Sequence, residues 1–466
     1  MRLLNTETLQ LKTVTSERTR PPYAILSHTW GGDEVLFEDV KGRPAGPLNT
    51  GKSGEAKVVG SCREALRNGH KYIWIDTCCI DKSSSSELSE AINSMFKWYS
   101  AATVCYVYLV DVFEDQLGEP ERAELERSRW FKRGWTLQEL IAPSRVQFFN
   151  EDWLPIGTRE SLAQRISDIT RIDLQLLLRS GDSEGSLRVG LATTSVATRM
   201  SWAAGRETTR EEDLAYCLLG IFDVNMPLLY GEGKKAFFRL QEQIVKKSND
   251  QSILAWVDAS EVGGFASSPR VHFLSGLTSY PQSRGAQSMN LTTVGLEMDV
   301  LFGAARLELA PGDEKRQWLA VLNCCSENDF LVRPAIILVN RYRGGDDDLF
   351  YRSTGLVIWL EPSFGNNEGE PITAWCEDRA GRRKGVLTHP KYCNVYVVDA
   401  LTISQYDSPS RNWSVRLSLC IITVSKSNAK AQALRYTSPS RVHTTSSTGH
   451  SSQNPPPGGT TFRLQT

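Results

Sequence analysis

Strand and helix patterns alternate four times in the first third of this chain, and each strand ends in polar residues. Tyr23-Ala-Ile-Leu-Ser27 runs into His28-Thr-Trp30-Gly31, and Tyr72-Ile-Trp-Ile75 runs into Asp76. Thr103–Leu109 leads to Asp111, and Val146-Gln-Phe-Phe149 to Asn150 and Glu151. Continuous apolar, β-prone runs of this length fit strands buried on both faces. Their connections are long enough for parallel crossovers. Two connections carry helical stripes: Val58, Val59, Cys62, Ala65 and Leu66, then Leu88, Ala91, Ile92, Met95, Phe96 and Tyr99. Gly69 is placed to end the first helix, and Ser84 and Glu87 have the spacing of a capping box for the second. A third helix runs from Trp135 to Ile141 and stops before Pro143. The prediction is an open parallel α/β sheet that collects its polar strand ends at one edge, where such sheets bind ligands.

The rest of the chain changes texture twice. Residues 158–250 carry helical patterns at Ser161–Ile169, Val196–Ala204, Glu211–Phe222 and Lys234–Lys247, with a turn at Met226–Gly233. From about Ser252, short β-type runs are separated by Gly, Pro and Asn, among them Gly295–Val300, Trp318–Leu322, Ala335–Val339, Leu356–Leu360, Val395–Val398 and Val415–Ile422. That spacing predicts a sandwich-like β domain. The expected organisation is therefore an α/β domain (1–157), a helical extension (158–250), a β-rich domain (251–424) and a disordered Ser/Thr/Pro/Gly-rich tail (425–466).

Composition narrows the function classes. With 53 Lys and Arg against 54 Asp and Glu, the net charge of -1 offers no field for nucleic acid or an anionic membrane. No apolar run approaches the ~20 residues of a bilayer span, and the first residues lack a signal-peptide core, so a cytoplasmic protein is expected. The 10 Cys contain no C-x-x-C pair, and the 6 His never fall at ligand spacing. Buried free thiols are expected, with no metal centre.

Gly46-Pro-Leu-Asn-Thr-Gly51-Lys52-Ser53 has the letters of a P-loop. The charged stretch before it, with Pro44, cannot be the buried strand such a loop requires, so a plain loop is expected. Ser27 and His28 are neighbours on a strand and should point to opposite faces, which argues against a Ser/His nucleophile. His28 is either a hydrogen-bonded structural residue or a ligand contact. Asp76 either caps its own loop or faces the sheet edge. Glu87 and Glu90 fit a solvated first helical turn. Trp135 and Glu139 are four apart and share a helix face, and Leu137, Leu140 and Ile141 promise burial for Glu139. Burial would raise the pKa of Glu139 and suit it to acid/base or cation-stabilising work, unless Arg133 or another Arg pairs with it.

Leu26-Ser-His28-Thr-Trp30-Gly31, Tyr72-Ile-Trp-Ile-Asp76-Thr-Cys-Cys79-Ile and Trp130-Phe-Lys-Arg133-Gly-Trp135-Thr-Leu-Gln-Glu139 together resemble, in order and spacing, the signature blocks of the fungal heterokaryon-incompatibility (HET) domain. Residues 195–245 resemble the helical segment that often follows it. The resemblance implies a cytosolic effector of cell death in non-self recognition between fungal cells, self-associating through this domain or acting with a separate sensor. HET domains are in turn similar to TIR domains, some of which cleave NAD with the Glu of a Trp-x-x-x-Glu motif, the form of Trp135–Glu139. That similarity implies a TIR/flavodoxin-like sheet and NAD as a substrate, with Glu139 stabilising the oxocarbenium ion. Trp135, His28, Trp30, Asp76 and Arg133 would line the pocket. The other expectation, of a different class, is a death-signalling interaction module without chemistry.

Overall fold

A computed structural model of the protein describes residues 1–113, 122–178, 184–257, 265–279, 289–292, 295–308, 317–330, 332–340, 347–362, 372–377, 383–384, 395–397, 401–417 and 422–425. The first part is built on a seven-stranded sheet: β1 (Arg2–Asn5), β2 (Leu11–Thr13), β3 (Ala24–His28), β4 (Tyr72–Trp74), β5 (Val104–Tyr108), β6 (Val146–Phe149) and β7 (Pro155–Thr158). Their order is β2-β1-β4-β3-β5-β6-β7. The four strands read from the sequence are the centre and pair in parallel, Ala24 opposite Ile73 and Val104, and Cys105 opposite Val146. Counted among themselves they lie in the order 2-1-3-4.

The expected purely parallel sheet is corrected at both margins. β1 pairs antiparallel with β4 and β2, and β7 pairs antiparallel with β6, so the sheet is mixed. These margins are short and partly exposed, so they lack the long apolar runs that mark the central strands. β7 starts at Pro155, a residue tolerated at a sheet edge because its missing N–H is not needed there. Every residue of β3 and β5 is buried, as strands covered on both faces require.

Helices supply the covers. Glu55–Arg67 ends as expected at Gly69, whose φ of 78° only glycine adopts freely. Ser85–Ser100 is capped by Ser84, whose Oγ accepts the Glu87 N–H at 3.3 Å. The helix turns Ala91, Ile92, Met95, Trp98 and Tyr99 inward, where Trp74 meets Trp98 and Tyr99 edge-on. Glu87, expected in solvent, instead pairs with Arg2 and accepts the Asp81 N–H at 2.9 Å. Its sequence neighbours could not show this, because Arg2 arrives with the unforeseen β1.

The helical extension packs on this layer with Val196–Ser201, Asp213–Tyr216 and Lys235–Lys247. The helix expected over Glu211–Phe222 is shorter than its pattern: it spans Asp213–Tyr216, and turns follow up to Asp223, whose φ is 51°. Gly220 lies so close to Phe96 of Ser85–Ser100 that a methyl there would overlap the Phe96 side chain. One core runs on from the sheet through the helices to Ile253, Trp256 and Phe273. Met1–Ala431 is one compact unit, and Gln432–Thr466 lies outside the described residues. No described helix is long and apolar enough to cross a membrane.

In the β-rich part, six of the described strands pair as an antiparallel ring. Gly295–Glu308 pairs with both Gln317–Val321 and Leu401–Leu417. From Gln317–Val321 the pairing passes through Arg333–Asn340, Asp347–Pro362 and Ile422–Ser425 and returns to Leu401–Leu417. Strands this long, with register shifts such as that between Phe302 and Ala304, can bend enough to pair on both sides and remove their open edges. The tail expected to be disordered falls outside the described residues except for Ser425.

Candidate functional site

The polar strand ends divide between two jobs. Asp111 accepts the Ser128 hydroxyl and the Arg129 N–H, each at 2.8 Å, and so starts the turn of 3-10 helix Arg129–Lys132. Asn150 holds its own loop by accepting the N–H groups of Asp152 and Leu154. His28 and Asp76 do meet. The last residue of β3 places its Nε2 2.8 Å from Asp76 Oδ1, and Trp30 Nε1 donates to Asp76 Oδ2 at 2.8 Å. Asp76 is not a bare strand end: β4 stops at Trp74, and Asp76 opens the one-turn helix Asp76–Cys79.

Three residues the sequence reading left out complete this edge. Lys82 Nζ stacks on the Trp30 ring, 3.4 Å from its centroid. Lys57 and Glu34, both 7 % exposed, form an ion pair at 2.6 Å, and Glu34 also accepts the Gly31 N–H at 2.6 Å. A signal for Lys57 was present: it is in line with Ser61 and Ala65 on the buried face of its helix. Lys82 and Glu34 sit in loops, where no periodicity points inward.

Charge at this edge is dense. Burial pushes the Asp76 carboxyl up, yet His28, Lys82 and Trp30 outweigh it and hold the pKa well below the usual range. Burial likewise opposes ionisation of Glu34, but His28, Lys57 and the Gly31 N–H bring it below its ordinary value. Burial pulls the Lys82 ammonium down, against the opposing effect of Asp76 and Glu34. Two buried atoms here, Lys82 Nζ and Glu34 Oε2, have no hydrogen-bond partner among the described residues. An incomplete polar network of this kind marks a place where a further group can be accommodated.

Glu139 lies on the other face of β3. Ser27 donates to Glu139 Oε2 at 2.5 Å and itself accepts the Trp130 indole N–H at 2.8 Å. Ser27 and His28 thus point to opposite faces, as their adjacency requires. Helix Thr136–Ile141 is buried at every residue, and Glu139 is 7 % exposed. Burial raises its pKa to about 8, helped by Asp76 and opposed by Ser27, Arg133 and Tyr99. No carboxylate–guanidinium bridge within 4.0 Å joins Glu139 to Arg133 among the described residues. Burial therefore favours the protonated, neutral form of the Glu139 carboxyl.

Trp135 and Arg133 diverge from the sheet edge. Trp135, half-buried at the start of helix Thr136–Ile141, lies beside the Asp213 carboxyl, which burial raises and which Tyr230 and Trp135 pull back by hydrogen bonding. Arg133 bridges in parallel to Glu207. The turn between Trp130 and Thr136 is gripped by Arg206, 3 % exposed, which donates to Arg133 O at 2.9 Å, Thr136 Oγ1 at 3.0 Å and Trp202 O at 3.1 Å. The six expected site residues therefore form two groups: His28, Trp30 and Asp76 at the open edge, and Glu139 behind β3 with Arg133 and Trp135 toward the helical extension.

The P-loop letters build no such loop. No strand leads into Gly46, the helix begins only at Glu55, and Lys52 is paired with Asp39 at 2.6 Å. Cys62, Cys78, Cys79, Cys105, Cys217, Cys324 and Cys325 are free and buried.

Residues 23–124, which include β3, β4 and β5, match the family described as Heterokaryon incompatibility protein (HET). The match ends before Trp130–Glu139. Residues 235–287 match a domain of unknown function, DUF8212, which begins with helix Lys235–Lys247 and continues past residue 250. Among curated proteins, the chain is 51 % identical over 233 residues to "Vegetative incompatibility protein HET-E-1" of Podospora anserina. That alignment covers 48 % of this chain and 16 % of the length of that protein. No solved structure matches.

Proposed function

We propose that this chain acts in heterokaryon (vegetative) incompatibility, as an effector that converts non-self recognition into cell death. The observation that carries this reading is the 51 % identity over 233 residues to a vegetative incompatibility protein. Self-association through the HET domain, or a separate sensor protein, would supply the trigger, and the cytoplasm is the compartment this role requires.

The finer proposal is that the output is cleavage of NAD to nicotinamide and ADP-ribose, with water as the second reactant. A buried acid whose pKa burial raises to about 8, behind the central strand of a parallel sheet, supports it. In the packed state Glu139 is neutral and carries no charge with which to stabilise an oxocarbenium ion. Catalysis therefore requires the Trp130–Thr136 turn to open, so that contact with water and the cationic nicotinamide ring of the substrate lowers the pKa of Glu139. Closed, the chain is silent. Arg133 and Trp135 would then flank the opened site, with His28, Trp30 and Asp76 at the edge on the other face of β3.

The near-complete burial of Glu139 favours the alternative, an interaction module that kills through partners. Full-length protein incubated with NAD, at concentrations that force assembly, separates the two readings. Nicotinamide release that is lost in a folded Glu139→Gln variant supports the enzyme. No release from folded, assembled protein rejects it and leaves the module.

A further inference from the structure

A cavity of about 650 Å³ opens between helix Ser85–Ser100 and the helical extension, away from the His28–Asp76 edge. Its apolar walls include Phe96, Leu191, Leu219 and Ile244. Its polar lining is biased toward positive charge: Lys97, Arg199 and Lys247 stand against the single carboxylate of Asp223. Lys97 is paired outward with Glu17 at 2.5 Å, and Lys247 with Asp223, so Arg199 is the cation without a carboxylate bridge among the described residues.

Arg199 is 9 % exposed and lies over the Phe222 ring, 4.7 Å from its centroid. Its Nη1 donates to Ile221 O at 3.1 Å, while its buried Nε has no hydrogen-bond partner. Burial lowers its pKa to about 10, against the opposing effect of Asp250, which leaves it charged at neutral pH. Arg199 is thus a desolvated guanidinium in the lining of a largely apolar cavity, which defines one ligand chemistry.

The geometry points to a binding site for a small organic anion with an apolar body: the anion at Arg199 and the body against Phe96, Leu191 and Ile244. Because both the sheet layer and the helical extension line the cavity, an occupant stabilises their contact.

The test uses full-length protein and 2-naphthylacetate as the probe, with uncharged 2-naphthylethanol as its match. Calorimetric titration is expected to show the acetate binding roughly tenfold more tightly than the alcohol, as a charge-assisted contact requires. The acetate should also raise Tm. Arg199→Met should abolish that preference. Because that variant can fail to fold, Ala192→Trp is the second arm: Ala192 is exposed and in the lining, so an indole there competes for the space of the occupant. Binding that survives Ala192→Trp, equal affinity for acid and alcohol, or no binding to the folded protein each overturns the proposal.

Discussion

Glu139 shows how one residue can be legible in sequence and still take its chemistry from its surroundings. Its burial could be read from the leucines and isoleucine around it. The absence of an arginine bridge could not, nor could the chain of donors from Trp130 through Ser27. Between about 4.5 and about 8 the folded protein keeps a proton on Glu139 that the unfolded chain releases. The stability tied to that proton is complete below the lower value and lost as pH rises through the upper one. Glu139→Gln removes this dependence, so the variant should gain on the wild type by at most about 1.4 kcal/mol per pH unit across the window. Urea titrations at about pH 5 and about pH 8 check this. Asp76 behaves in the opposite sense. Its depressed pKa contributes stability that is present above the ordinary carboxylate range and lost as pH falls through the folded value. Asp76→Asn should cost about 1.5–3 kcal/mol at pH 7, and the deficit should shrink in acid.

At the scale of elements, the turn that delivers Glu139 is held by a side chain about 70 residues away in sequence. Arg206 bonds three groups at once, and Arg206→Met leaves Arg133 O and Thr136 Oγ1 without that donor. The expected loss is about 3–5 kcal/mol, since a buried cation and its acceptors part together. Hydrogen exchange should show amides 130–136 opening before those of β5. The contact at Gly220 makes a separate point. Gly220→Ala has no room against Phe96 and should lower stability by about 1–3 kcal/mol, read as a shift in the urea midpoint.

For the whole molecule, the helical extension and the start of the β-rich part share one core. Val196 N–H donates to Asp250 at 2.7 Å, and Ala197 N–H to Ser252 at 3.0 Å. The Gln241 side chain bonds the Ala266 backbone in both directions. Trp256 and Phe273 are fully buried. A fragment ending at residue 250 would strip that cover, whereas one ending at 279 retains it. The shorter fragment should unfold at markedly lower urea or aggregate, and light scattering beside circular dichroism distinguishes the two.

What the sequence determined by itself was local. Uninterrupted β-prone runs place β3, β4, β5 and β6, stripes and caps place the helices between them, and both depend on neighbours within a few residues. The same logic brought His28 and Asp76 to one edge, because parallel strands end on the same side. Tertiary structure decided the rest. It added the antiparallel margins, whose residues are too few and too exposed to carry a periodic signal. It closed the β-rich strands into a ring, a matter of long-range pairing that alternation cannot specify. It completed the edge with Lys57, Lys82 and Glu34, and it sealed Glu139 under Ser27 and the Arg206-bound turn. A charge's partner and a carboxyl's exposure are set by chain segments far apart in sequence, and only folding brings those segments together.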